Sequence, residues 1–346
     1  MKKLVFTTQF LLLLLLVSCG DKSRYVEITH SDSAIKLTAE ESLTNSSFSD
    51  DSDCRERIAE ILCLVNPPDE NNPYATMYNR PCLEEGVEFK NIFQAHYDQA
   101  HPVIKKLYCS LEKIWIENQL STTAYATPIY DNSDTLVAAG IGIKKEFLLA
   151  SPKLGDWFTE KEVTSYGNEK NALSFKTKKN NHSAVYYALN HEFGHILDYA
   201  NKLNQYETPC GSMTNTKDCQ PTQDSWSVLS WKNASQINQE NDHPLFRDLC
   251  FYQCGGEYIS IEKAPLIFEA LFKTNFISTY STINPKEDWA ETFAVYLETL
   301  DEKLDLNVET PKKTFNLSSH FNSHNLKSKR MFIEKFLNSN IKYPGN

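Results

Sequence analysis

Residues 183–203 read SAVYYALNHEFGHILDYANKL and contain the pentapeptide His191-Glu192-Phe193-Gly194-His195. Apolar residues recur here at helical spacing and no proline interrupts them, which predicts one long buried helix. Because residues four apart share a helix face, the two imidazoles can bind one metal ion. Glu192 lies beside that face, where a carboxylate can take a proton from a metal-activated water. The stretch therefore predicts a metal site with its own general base.

A hydrolytic zinc site needs a third protein ligand and one position left open for water. Residues 280–291 read YSTINPKEDWAE, in which Pro285 suits the first turn of a helix. Glu287 and Glu291 then lie four apart on one face. Uncompensated carboxylates are costly on an otherwise apolar helix, which favours a bound metal over a solvated acidic face. The spacing leaves open which of the two glutamates is the ligand.

The pentapeptide, with Asp198 seven residues after His191 and with Tyr280, Glu287 and Glu291 further on, resembles a known family. The family is that of the gluzincin-like HExxH zinc metallopeptidases. It includes the catalytic domain of anthrax lethal factor and zinc-binding metallopeptidase lipoproteins. The resemblance implies a zincin-like α+β fold, with a small sheet and the active-site helix on one side of a cleft. A mainly helical C-terminal part carries the third ligand on the other side.

The resemblance also implies roles for individual residues. One Zn²⁺ per chain is bound by His191, His195 and Glu287, with Glu192 as general base. Tyr280 assists the developing oxyanion, and Glu291 supports a ligand histidine from behind. Asp198 either hydrogen-bonds the far nitrogen of a ligand histidine or only ends the helix, and the sequence does not decide between these.

The function that follows is a zinc-dependent endopeptidase acting on peptide or protein substrates. Two alternatives belong to other classes. The first is a catalytically silent, zinc-containing surface binding module, with a loop insertion at about 205–243 closing the cleft. The second is a purely structural zinc site, which would need four protein ligands. The presence of both Glu192 and Tyr280 favours the enzyme.

Residues 1–18 have two lysines, a short apolar run and a small residue at the end, as in a signal peptide. The tetrad Leu16-Val17-Ser18-Cys19 resembles the lipobox of bacterial lipoproteins, which implies a lipid on Cys19. An ordinary secretory signal is the alternative. Residues 19–50 are polar and predict a flexible tether. The expected location is a bacterial membrane, with the protein held by its lipid and facing the periplasm or the cell exterior.

The net charge of −10 argues against nucleic-acid binding, which rests on neutralised phosphates. Eight cysteines follow Cys19, and an even number in an exported chain predicts disulfides. Proximity in sequence suggests three pairs, which are Cys54 with Cys63, Cys210 with Cys219, and Cys250 with Cys254. Cys82 with Cys109 would complete four bridges. A cysteine zinc site is disfavoured because no pair has the C-x₂-C spacing.

The remaining patterns divide the chain. Residues 51–115 predict a cysteine-containing helical and loop segment, with a helix from Pro102 through Trp115, and 116–346 the catalytic domain. Strands are expected at 125–130 and 135–143, and the charge-free part of the second suggests an edge where a substrate could pair, its glycines allowing close approach. Further helices are expected at 265–272, 286–300 and 326–337.

Overall fold

A computed structural model describes residues 35–36, 51–66, 82–167, 173–178, 182–207, 219–251, 258–300 and 304–345. The signal peptide, Cys19 and all but two residues of the tether lie outside these ranges. Their assignments stay predictions. Among the described residues, no helix is long and apolar enough to cross a membrane.

In the described residues the architecture is mixed α+β, with two sheets. The strands of the larger sheet are β1 (Ile35–Lys36), β2 (Leu62–Val65), β3 (Glu84–Glu85), β4 (Leu111–Glu117), β5 (Ala124–Tyr130) and β6 (Leu136–Lys144). Their order in the sheet is β1-β5-β6-β4-β2-β3. β5 and β6 confirm the two predicted strands and pair antiparallel. The smaller sheet joins β7 (Ser174–Thr177), β8 (Leu306–Glu309) and β9 (Thr314–Asn316).

Helices pack against the larger sheet, and the main core also includes residues of the smaller sheet and of the insertion. In chain order the described α-helices are α1 (Asp51–Ile61), α2 (Lys90–Gln99), α3 (Pro102–Cys109), α4 (Lys145–Ala150), α5 (Leu154–Val163), α6 (Ala184–Asn201), α7 (Ala264–Leu271), α8 (Pro285–Leu300), α9 (Leu317–Phe321) and α10 (Lys327–Leu337). The predicted motif helix is confirmed as α6, and the helices expected near 265, 286 and 326 are α7, α8 and α10.

The helix predicted to run from Pro102 through Trp115 is wrong in its second half. α3 ends at Cys109, and Trp115 lies in β4, which pairs with both β2 and β6. Isoleucine and tryptophan favour strands, and two neighbouring strands outweigh the helical spacing. Residues 51–115 thus contribute most of three strands to the main sheet, and the predicted boundary at 115/116 falls inside β4.

β6 was expected at an edge of the sheet, and this expectation is also wrong. β6 lies between β5 and β4, and a run without charged residues is typical of a strand buried on both faces. Its glycines make room for aromatic rings of neighbouring strands. A Cβ atom on Gly140 would lie 2.2 Å from the Trp115 ring, and one on Gly142 would lie 2.0 Å from the Tyr125 ring.

Two disulfides join other cysteines than the sequence suggested. Cys54 is bonded to Cys109, and Cys63 to Cys82, so the pairings of Cys54 with Cys63 and Cys82 with Cys109 are wrong. Cys54 lies in α1, and the helix from there to its end advances about 10 Å, beyond disulfide reach of β2. Neighbours in sequence are therefore separated by the helix between them.

The other four cysteines are described only in part. Cys219 and Cys250 are disulfide-bonded. Their predicted partners Cys210 and Cys254 lie outside the described residues. These two pairings stay predictions.

The Cys54–Cys109 bond closes a long loop around the start of the sheet. We expect Cys54→Ser/Cys109→Ser to lower the free energy of unfolding by about 2–4 kcal/mol, because the crosslink restricts the unfolded chain. Urea denaturation followed by circular dichroism measures the loss. Peptide mapping without reduction should recover Cys54 linked to Cys109, and a Cys54–Cys63 peptide would contradict the pairing.

Candidate metal centre

The centre lies where α6 and α8 cross. Gly194, the fourth residue of the motif, faces α8 so closely that a Cβ atom there would lie 3.1 Å from the Cα atom of Ala290. The indole of Trp289 donates a hydrogen bond to the Gly194 carbonyl at 2.7 Å. The missing side chain at 194 therefore lets the two helices approach, and the indole holds them together.

This crossing brings three metal-ligating side chains together. Glu287 Oε2 lies 3.0 Å from His191 Nε2 and 3.6 Å from His195 Nε2, and the two Nε2 atoms are 3.2 Å apart. Four donors about 2.1 Å from a zinc ion, placed tetrahedrally, are about 3.4 Å from one another. The observed spacings and the two-imidazole, one-carboxylate donor set both fit zinc. Three protein donors leave the fourth position for water or substrate.

The choice between the two glutamates follows from the same distances. Glu287 meets both histidines with one oxygen, and among the described residues only His191, His195 and Glu287 form a group that could hold a metal ion. Glu291 lies one turn further along α8, and its Oε1 is 3.4 Å from His191 Nδ1, on the far side of the ring. Glu287 therefore belongs to the candidate donor group, and Glu291 lies behind His191.

Glu291 is held by two further groups. Lys161 of α5 donates to its Oε1 at 3.0 Å, and the Ser278 hydroxyl donates to its Oε2 at 2.8 Å. Burial raises the pKa of Glu291, but the Lys161 charge and the hydrogen bonds outweigh it and lower the pKa to about 2. Glu291 is therefore a carboxylate and accepts hydrogen bonds on both oxygens.

Glu192 and Tyr280 both face the cleft beside the donors. Glu192 is buried, which raises its pKa, although the neighbouring His191 and His195 oppose the rise. Tyr280 begins a short 3-10 turn, and its ring centroid lies 6.3 Å from that of His191. Both side chains thus line the cleft that contains the three donors.

Asp198 lies near the C-terminal end of α6. Its carboxylate accepts hydrogen bonds from the backbone and side-chain nitrogens of Asn204, at 2.9 and 2.8 Å. These bonds fix the turn that ends α6, where Lys202 has the left-handed conformation. His195 Nδ1 is buried with no hydrogen-bond partner. Asp198 therefore supports the helix end and not a ligand histidine.

The insertion at 205–243 contacts α8 from behind. Trp226 and Trp231 are buried, and their indoles donate to one oxygen of Asp288, at 3.2 and 3.1 Å. Lys329 of α10, also buried, donates to the other oxygen at 2.5 Å. None of the insertion's described residues lines the cleft. In its described part, the insertion packs against α8 and does not close the cleft.

Sequence reasoning missed Lys161, Ser278 and Lys329. Each acts through a partner more than ten residues away, so no local spacing identifies it. The sequence carried a weak signal for Lys161, because it lies at helical spacing from the apolar Leu154, Trp157 and Phe158 of α5. In the structure Lys161 is buried. Lysine is seldom fully buried unless it is paired.

In the metal-free protein, two carboxylates hold a proton on His191. Burial disfavours the charged imidazole, but hydrogen bonds with Glu287 and Glu291 outweigh it and raise the pKa of His191 to about 10. A metal ligand must be neutral, so zinc has to displace this proton. The competition weakens as the pH rises towards the raised pKa.

We therefore expect the apparent zinc affinity to increase from pH 6 to pH 8, by about tenfold per unit for one displaced proton. Titration calorimetry in buffers of different ionisation enthalpy counts the protons released. Glu291→Gln removes one of the two carboxylates and should make the slope shallower. A zinc affinity that is the same at pH 6 and pH 8 would contradict the proton on His191.

Comparison with known proteins gives one result. The sequence profile of a family described as "Putative zinc-binding metallo-peptidase" matches residues 162–343, more than half of the chain. The match includes both α6 and α8 and so all three metal donors. Neither the curated proteins nor the solved structures yield a match. The chain belongs to this family of zinc-binding metallo-peptidases.

Proposed function

We propose that the chain is a zinc-dependent endopeptidase with a zincin-like fold. The observation that carries the proposal is the convergence of His191, His195 and Glu287 on one point, with Glu192 beside it in a cleft. A structural zinc site would be closed by a fourth protein ligand. Among the described residues, the donor group contains three.

Each residue of the cleft has a part in peptide hydrolysis. Zinc, when bound, supplies the Lewis acidity that polarises a carbonyl and acidifies water. Glu192 takes the proton of the attacking water, because its carboxylate is buried next to the donors. Tyr280 donates a hydrogen bond to the developing oxyanion. Glu192 then returns the proton to the leaving amine.

The substrate is proposed to bind along β5. β1 pairs with Ile129 and Tyr130 only, so in the described structure no strand lies beside the start of β5 on the side away from β6. Residues 122–126, which are the start of β5 and the two residues before it, line the cleft that contains the donors. An extended peptide could add there as a strand, with its scissile bond reaching the metal. The small side chains of Ala124, Ala126 and Ala188 leave room for it.

Glu192→Gln tests the base directly. We expect the variant to keep one zinc per chain and to lose peptide cleavage by about 10²–10⁴-fold, because the amide cannot accept the proton. Metal analysis and cleavage of a mixed peptide library, read by mass spectrometry, measure both quantities.

Tyr280→Phe is the matched variant, since it removes only a hydroxyl and is expected to retain zinc while losing cleavage by about 10²–10³-fold. Zinc without cleavage by the unsubstituted protein would instead favour the silent binding module. Absence of zinc would contradict the metal centre itself.

We also propose that Cys19 carries the lipid that holds the protein at a bacterial membrane. The support is the tetrad Leu16-Val17-Ser18-Cys19 after a short apolar run. We expect Cys19→Ala to abolish incorporation of labelled palmitate and to move the protein from the membrane pellet to the supernatant. Continued pelleting of the unlabelled variant would show another means of attachment.

A further inference from the structure

Lys161 is a buried cation at the edge of the metal centre. Its side chain is 2% exposed and that of Glu291, its partner at 3.0 Å, is 1% exposed. It projects from α5 and lines the same cleft as the metal donors. Taking an ammonium group out of water is costly unless other groups compensate for the lost hydration. The groups that compensate for the lost hydration of Lys161 therefore indicate its role in the site.

The first compensating group leads to the metal. Lys161 holds one oxygen of Glu291, and Ser278 holds the other. The carboxylate fixed in this way lies 3.4 Å from Nδ1 of His191, whose Nε2 is a metal donor. Carboxylates in this position orient a ligand imidazole and raise its basicity. Lys161 thus acts on the metal centre through Glu291.

The second group leads to the proposed oxyanion donor. The Lys161 ammonium lies 4.4 Å from the ring centroid of Tyr280, and 4.9 and 4.8 Å from those of Trp157 and Phe158. All three distances are within the range of cation–π attraction. A cation over the face of Tyr280 favours one plane for the ring, and the hydroxyl lies in that plane. The same nitrogen therefore restrains Tyr280.

We propose that Lys161 is a positioning residue, which aligns His191 through Glu291 and Tyr280 through its ring face. Lys161 links a proposed metal ligand to the proposed oxyanion donor. Its role is indirect, because it acts through Glu291 and Tyr280 and not on the reacting atoms. The part of the inference that concerns Tyr280 rests on the proposed peptidase function. The part that concerns His191 rests on metal binding alone.

The chain offers a matched comparison in Lys329. This lysine is also buried and pairs with a carboxylate of α8, that of Asp288. Its ammonium also lies over aromatic rings, at 4.6 Å from Phe276 and 5.2 Å from Trp226. Unlike Lys161, it does not line the cleft. Lys329→Met therefore reports what an unpaired buried carboxylate on α8 costs when Glu291 and Tyr280 are left intact.

The experiment compares Lys161→Met, Lys161→Arg and Lys329→Met in the full chain. We expect Lys161→Met to weaken zinc binding by about ten- to a hundredfold, the usual effect of losing support behind a ligand. At saturating zinc, kcat should fall while KM changes little. Lys161→Arg keeps the charge and should recover part of both losses. Competition with a chromophoric chelator gives the zinc affinity, and peptide cleavage gives kcat and KM.

Several results would overturn the proposal. One is a zinc affinity and a zinc-saturated kcat for Lys161→Met that equal those of the unsubstituted protein. Another is an equal loss of zinc affinity in Lys329→Met, which would indicate general destabilisation. If Lys161→Met does not fold, Lys161→Met/Glu291→Gln leaves no buried charge unpaired, and wild-type zinc affinity in that variant would overturn it.

Failure of the proposed function is a separate result. If the unsubstituted protein binds zinc but cleaves nothing, the peptidase proposal fails. The zinc affinities of the Lys161 and Lys329 variants still decide whether Lys161 supports His191.

Discussion

The close crossing of α6 and α8 is the constraint on which the metal centre depends. The candidate donors are two histidines of α6 and one glutamate of α8, so the distance between the helix axes sets the spacing of the donors. Helices approach this closely only where the contact residues are small, and here they are Gly194 and Ala290. The Trp289 indole closes the contact through the Gly194 carbonyl. The residues between the two ligand histidines therefore determine the position of the third ligand.

α8 carries carboxylates on two sides, and each side is compensated separately. Glu287 and Glu291 face the cleft, whereas Asp288 faces the insertion and α10. Burial raises the pKa of Asp288, and Lys329 and the two indoles oppose the rise by stabilising the charged form. A buried carboxylate is costly unless hydrogen bonds compensate for its lost hydration, and these three donors provide them. The insertion and α10 thus satisfy the carboxylate on the side of α8 that faces away from the cleft.

The parts of the site that could be predicted from the sequence are those within single helices. The spacing of His191 and His195, and of Glu287 and Glu291, is fixed by the helical repeat, and both pairs lie as expected. Pairings between distant segments could not be predicted. The disulfides and the identity of β4 as a strand depend on which elements become neighbours. Local spacing carries no information about that choice.

The two ligand histidines differ in what holds them. Nε2 of His191 lies next to Glu287, and Nδ1 lies next to Glu291. Each ring nitrogen of His191 therefore has a carboxylate partner. His195 Nδ1 is buried without a hydrogen-bond partner, and the Tyr199 ring lies nearly parallel to its imidazole at 6.5 Å. A hydrogen bond on the far nitrogen fixes the tautomer of an imidazole, whereas stacking fixes only its plane. His191 is therefore the more firmly positioned of the two histidines, because Glu291, Ser278 and Lys161 support it. The orientation of His195 depends on packing and on a bound metal.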